Sequence, residues 1–147
     1  MNKLINMLKV HEGVETHAYK CTADKTTIGV GRNIDPAGGI GLSDTEIDFL
    51  LGNDIERVEA ELYATLPWLD GDDSVIGAVR LDALVDICFN LGLPRFLKFV
   101  KALDAAEAED WDKAADEFLD SRWAKQVGSR AIEITEMIRT GEYQNDY

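Results

Sequence analysis

Apolar positions recur at helical spacing through most of the chain, with one interruption near the start. Leu4, Ile5, Met7 and Leu8 fall on one stripe of the first eleven residues and predict an amphipathic helix ending near Gly13, a residue suited to a left-handed cap. The period then changes. His17–Cys21 and Thr26–Val30 are short, rich in Thr, Tyr, Ile and Val, and joined by the polar residues 22–25, a pattern that predicts a β-hairpin. Residues 33–42, with Pro36, Gly38, Gly39 and Gly41, read as a turn-rich loop with a third short strand at its end.

Helical periodicity resumes at Ser43, which with Glu46 has the spacing of a capping box. It predicts a helix that stops at Gly52-Asn53. Asp54 opens a second helix carrying Ile55, Val58 and Leu62 on one face, and Pro67 ends it. Ser74 begins the most apolar helix, with Val75, Val79, Leu84, Ile87, Cys88 and Leu91 recurring until Gly92, and this is the candidate central core helix. Pro94 suits the first turn of the next helix, where Phe96, Leu97, Val100 and Leu103 repeat. A Trp111, Ala115, Phe118, Leu119 stripe follows, then a last helix from Ser129 to Thr140 capped by Gly141. The order of elements predicts an α+β fold, mostly helical, with one small antiparallel sheet.

Composition narrows the function. The 147 residues include 15 Lys+Arg against 28 Asp+Glu, a net charge of −13, which opposes non-specific nucleic-acid binding because a polyphosphate would be repelled. That length suits one self-sufficient domain. No apolar run approaches the roughly 18 residues of a membrane span. Asn6 and Lys9 interrupt the first ten residues, so the expectation is a soluble chain with no signal peptide and no stable membrane association. Cys21 and Cys88, without a CxxC motif, predict two free thiols. Neither they nor His11 and His17 have metal-ligand spacing, and Gly29-Val-Gly31 and Gly38-Gly-Ile-Gly41 lack the context of a phosphate loop, so no metal and no cofactor is expected.

One constellation carries chemistry. Glu12 ends the first helix, Cys21 follows nine positions later at the tip of the first strand, and Thr27 lies six beyond on the returning strand. A helix end and a neighbouring hairpin can bring a carboxyl, a thiol and a hydroxyl to one substrate.

The segment from His11 to Gly31 resembles the active-site stretch of phage lysozymes of the T-even type, glycoside hydrolase family 24. That family shows a Glu, eight residues, Asp or Cys, five residues, then Thr, and Glu12, Cys21 and Thr27 meet both spacings. A second stretch agrees in order and spacing: Phe89-Asn-Leu-Gly92, Trp111-Asp-Lys-Ala-Ala115, Ser121-Arg-Trp123, Gln126, Arg130 and Arg139-Thr-Gly141 resemble the family's C-terminal lobe.

The resemblance implies a two-lobed lysozyme-like domain over residues 1–147. Residues 14–52 would form the small β-containing lobe, 1–12 and 68–147 the helical lobe, and 53–66 a connecting helix. It implies a muramidase, an endolysin that cleaves the β-1,4 bond between N-acetylmuramic acid and N-acetylglucosamine in peptidoglycan. The alternative is a lysozyme-fold module that binds peptidoglycan or a protein with weak or no catalysis. Glycosidic cleavage needs a proton donor on the leaving oxygen and an attacking group on the opposite face. Glu12 would be the donor, Thr27 would position water, and Cys21 stands where the T-even enzyme has Asp, as base, nucleophile or spectator.

Phe89, Asn33, Arg130 and Gln126 would contact substrate, with Arg130 set against Glu12. The implied partner is the glycan strand, met by a monomer that waits in the host cytoplasm, needs a holin for access and acts in the periplasm. The T-even enzyme is basic and this chain is acidic. A local cluster of Lys20, Arg122, Lys125 and Arg130 is the expected counterweight at the site.

Overall fold

A computed structural model of the chain describes residues 2–69 and 76–147. Helix α1 (Asn2–Glu12) is followed by strands β1 (Glu15–Lys20), β2 (Thr26–Gly29) and β3 (Arg32–Asn33), then by α2 (Asp44–Thr65) and a 3-10 turn at Pro67–Leu69. Six helices complete the chain: α3 (Gly77–Leu91), α4 (Leu93–Phe96), α5 (Val100–Glu107), α6 (Trp111–Leu119), α7 (Arg122–Val127) and α8 (Ser129–Thr140). The α+β expectation, helix-rich with one small sheet, holds. The chain divides into two compact units, Met1–Leu51 and Gly52–Tyr147.

In the first unit the three strands form an antiparallel sheet in the order β1-β2-β3, with Tyr19 opposite Thr27 and Thr27 opposite Asn33. The third strand therefore lies at the start of the glycine-rich loop, not at its end. Asp35 explains this placement: its carboxylate accepts the backbone N–H of Thr26 at 3.0 Å and of Ala37 at 2.9 Å, which ties the loop back to β2 as soon as β3 has paired. Those two amides hold its pKa down at about 2. Thr27, on the central strand, is the one buried residue among those described in this unit, at 4% exposure.

The capping box at Ser43 forms as expected, with Ser43 N–H donating to Glu46 at 2.8 Å and Glu46 N–H donating to the Ser43 hydroxyl at 3.3 Å. Arg32 adds a two-pronged ion pair to Glu46, with contacts of 2.7 and 2.6 Å. The expected stop at Gly52-Asn53 is overturned, because α2 runs unbroken to Thr65. An interior glycine costs about 1 kcal/mol relative to Ala, less than a helix of this length recovers by burying Val58 and Leu62.

The second unit holds the apolar core. Helix α3 buries Ala83, Leu84, Val85, Ile87 and Cys88, as its periodicity predicts; the expected start at Ser74 lies outside the described residues. Helix α8 packs on α3 and α6, and α6 packs on α5; these last two helices bury small side chains, Ala102 and Ala106 on α5 and Ala114 and Ala115 on α6. The single helix expected through Phe96 and Leu103 is two helices. Phe99 leaves helical geometry at the break (ψ 54°), and its ring packs 4.9 Å from Phe118 and edge-on to Trp123, so aromatic packing overrides the helical period.

Candidate active site

Glu12 is the last residue of α1, and Gly13 turns the chain with φ +79°, returning its N–H to the Lys9 carbonyl at 3.0 Å. The Glu12 side chain is exposed, yet its position is defined. Its carboxylate rests on the β2–β3 turn, where a β-carbon added to Gly31 would meet Oε2 at 3.0 Å. Thr27 lies four residues from Gly31 along the same ribbon, a chain distance of at most about 13 Å.

Cys21 follows β1, and its backbone N–H donates to the Lys25 carbonyl at 3.0 Å, closing the hairpin turn. The thiol is half-buried. Backbone N–H groups of Lys25 and Ala23 lower its pKa below the ordinary thiol value, against the opposing effect of burial, and the nearby Thr27 hydroxyl adds a still smaller lowering. Thr27 Oγ1 donates to the Lys25 carbonyl at 2.9 Å. Thiol and hydroxyl thus meet around the Lys25 peptide. Cys88 behaves differently: it is 1% exposed, and burial pushes its pKa up to about 11.

The four residues expected to bind substrate have separate surroundings. Asn33 Oδ1 accepts the Asp35 N–H at 2.9 Å, and the close approach of Gly39 to the same oxygen shows that this amide is packed into its own loop. Phe89 is 44% exposed on a helix whose other apolar residues are mostly buried. Arg130 is committed to Asp86, with contacts of 3.0 and 2.9 Å. Gln126 is exposed on α7, beside a concavity of about 390 Å³ that Arg122 also lines.

The residues of the expected basic cluster have different neighbours within their own units. Lys20 pairs with Asp35 at 3.7 Å and Arg130 with Asp86, whereas Arg122 shares its concavity with Arg95 and Lys98. Sequence reasoning passed over Arg95 and Lys98, whose signal was their three-residue spacing just after Pro94. Among the described residues, no cluster of His, Cys, Asp and Glu could hold a metal ion. No described helix is long and apolar enough to cross a membrane.

Several residues of the C-terminal resemblance turn out to hold the second unit together. Trp123 Nε1 donates to Asn90 at 3.2 Å, and the Ser121 hydroxyl caps α7 by accepting the Ala124 N–H at 3.1 Å. Arg139 reaches Asp116, Asp112 and Glu136, which raise its pKa. Arg80 lies over Trp111 at 4.3 Å, donates to the Ile138 carbonyl at 2.7 Å, and occupies the space a side chain at Gly141 would need.

A helix ending in a glutamate, followed by a small sheet bearing a cysteine and a threonine and then by a helical unit, is the arrangement of a lysozyme-type chain. The phage lysozyme family matches residues 9–139, and the chain belongs to that family. A probable T4-type lysozyme of Dictyostelium discoideum is 26% identical over 163 aligned positions, covering 96% of both chains. An endolysin of Bacillus phage B103 is 31% identical, covering 96% of this chain and 54% of its own length. The pre-baseplate central spike protein of Enterobacteria phage T4 is 28% identical, with 97% of this chain matching 28% of that protein.

Proposed function

We propose that this chain is a muramidase that hydrolyses the β-1,4 bond between N-acetylmuramic acid and N-acetylglucosamine in peptidoglycan, and that it serves as an endolysin. The observation that carries the reading is the sheet that gathers Cys21 and Thr27 on one carbonyl, that of Lys25, and whose outer turn supports the Glu12 carboxylate. Family membership supplies the class of reaction.

Glu12 gives its proton to the glycosidic oxygen as the bond to the anomeric carbon breaks. Thr27 donates its own hydroxyl proton to the Lys25 carbonyl, which leaves its oxygen lone pairs to accept one O–H of an attacking water and aim it. The water oxygen bonds to the anomeric carbon, and its other proton passes to the Cys21 thiolate. The lowered thiol pKa supports the thiolate as base. Attack by sulfur itself would form a thioglycosyl intermediate and retain anomeric configuration, so the anomer first seen by NMR separates the two courses. Access through a holin-opened membrane and action as a monomer in the periplasm complete the endolysin proposal.

Turbidity loss and muropeptide release from purified sacculi, with Glu12→Gln and Cys21→Ser beside the parent, test it. Loss of muropeptide release in Glu12→Gln is expected. Equal release by Glu12→Gln and the parent overturns the proposal, and a parent that binds sacculi without releasing muropeptides assigns the chain to the binding-module alternative.

A further inference from the structure

The peptide between Lys25 and Thr26 is bonded at both of its polar ends. Its carbonyl, that of Lys25, accepts the Cys21 N–H at 3.0 Å and the Thr27 hydroxyl at 2.9 Å. Its N–H, that of Thr26, donates to Asp35 Oδ2 at 3.0 Å. Asp35 is itself fixed from several directions. Oδ1 accepts the Ala37 N–H at 2.9 Å, the Asp35 N–H donates to Asn33 Oδ1 at 2.9 Å, and the Lys20 ammonium stands 3.7 Å from Oδ2. The Asp35 side chain is only 11% exposed. The Ile34 N–H also reaches the Thr26 carbonyl at 2.8 Å, so the residues just after β3 hold both peptide groups of Thr26.

We infer that Asp35 is a positioning residue for Thr27, acting through the Lys25–Thr26 peptide. The inference rests on the wall-hydrolase reading above, in which the Thr27 oxygen aims the attacking water. Rotation of that peptide would carry the Lys25 oxygen away from the Thr27 hydroxyl, which could then turn its proton toward the water instead of its lone pairs. An ionised acceptor holds an N–H about twice as firmly as a neutral one, and Asp35 holds the peptide from the side opposite the hydroxyl. Hydrogen bonds in series also polarise one another. The anion at the N–H leaves more negative charge on the Lys25 oxygen, which strengthens its hold on the Thr27 proton. The Thr26 and Ala37 amides keep the Asp35 pKa at about 2, so the carboxylate is charged throughout the neutral and mildly acidic range.

The test compares Asp35→Asn with the parent and with Ser43→Ala, which removes the cap of α2 and controls for lost stability. Asn offers one oxygen to two amides, so a bond is lost while the side chain keeps its size. Three-bond side-chain couplings of Thr27, read by NMR on the whole chain, should report one rotamer in the parent and in Ser43→Ala and an average of rotamers in Asp35→Asn. Muropeptide release per folded molecule should show kcat roughly three- to tenfold lower in Asp35→Asn, with KM within about twofold of the parent. In a Thr27→Val background the same substitution should cost no further kcat, because the hydroxyl it serves is gone. Thr27 couplings that do not differ between parent and Asp35→Asn, an unchanged kcat, or an equal loss with and without the Thr27 hydroxyl overturns the inference and leaves the muramidase. A parent that releases no muropeptides removes the muramidase, and the couplings then decide whether Asp35 positions Thr27.

Discussion

Two glycines of the β2–β3 ribbon make a matched experiment on Glu12. Gly29 and Gly31 have nearly the same left-handed backbone, φ +69° and +67°, so replacing either by Ala imposes about 1–2 kcal/mol of the same conformational strain. For a chain of this size that lowers Tm by a few degrees in both variants. Their surroundings differ. A β-carbon at Gly29 meets nothing within 4 Å, whereas at Gly31 it meets Glu12 Oε2 at 3.0 Å and the carboxyl carbon at 3.5 Å.

In Gly31→Ala the carboxylate must retreat by a few tenths of an ångström to reach ordinary contact. A displacement of about 1 Å in a reacting group can cost a hundredfold in rate, so a shift of this size predicts a loss of roughly three- to tenfold in kcat/KM. Gly29→Ala predicts no loss beyond its unfolded fraction. The assay is muropeptide release per folded molecule, well below both melting transitions, with Tm measured in parallel. If Gly31→Ala and Gly29→Ala lose stability alike and are equally active, the Glu12 carboxylate at that turn is not the proton donor.

Three further outcomes follow from the same geometry. Alkylation of Cys21 by iodoacetamide should reach half its maximal rate below pH 9.0, the ordinary thiol value, while Cys88 stays unreactive until the chain unfolds; equal reactivity of the two thiols contradicts their environments. Asp35 is ionised more readily folded than unfolded, so its contribution is complete above its ordinary value of 3.8 and is lost as pH falls toward about 2. The stability gap between the parent and Asp35→Asn, followed by denaturant unfolding of the hairpin, should therefore shrink between pH 5 and pH 2, and a gap independent of pH would show that the carboxylate charge plays no part. Lysis of whole walls should rise with salt from about 0.01 to 0.1 M, as the Debye length shortens from about 30 to 10 Å and long-range repulsion of the −13 chain fades; a steady fall from the lowest salt would show that local positive charge governs encounter.

The parts of this fold that are legible in the sequence are those set by local chemistry. The Ser43–Glu46 capping box, the hairpin around residues 22–25 and the buried stripe of α3 each depend on residues a few positions apart. The misplaced boundaries depend on distant partners. The break at Phe99 answers to Phe118 and Trp123, and β3 is positioned by Asp35 reaching back to Thr26. The same division runs through the site. The spacing of Glu12, Cys21 and Thr27 is local: Cys21 and Thr27 flank one hairpin turn, and Glu12, ending α1, lies against the next turn of the same sheet. The partner of Arg130 is Asp86, 44 positions away, which no spacing rule announces.

Charge separates in the same manner, because a net value hides what pairing leaves over. Arg32, Arg57, Arg130 and Arg139 are each held by carboxylates, so their charges are largely cancelled where they stand. Among the described residues Arg95, Lys98 and Arg122 have no ion-pair partner, and at physiological salt a Debye length of about 8 Å confines their field to their immediate surroundings. The excess of acidic residues therefore acts on the rate of approach to an anionic wall.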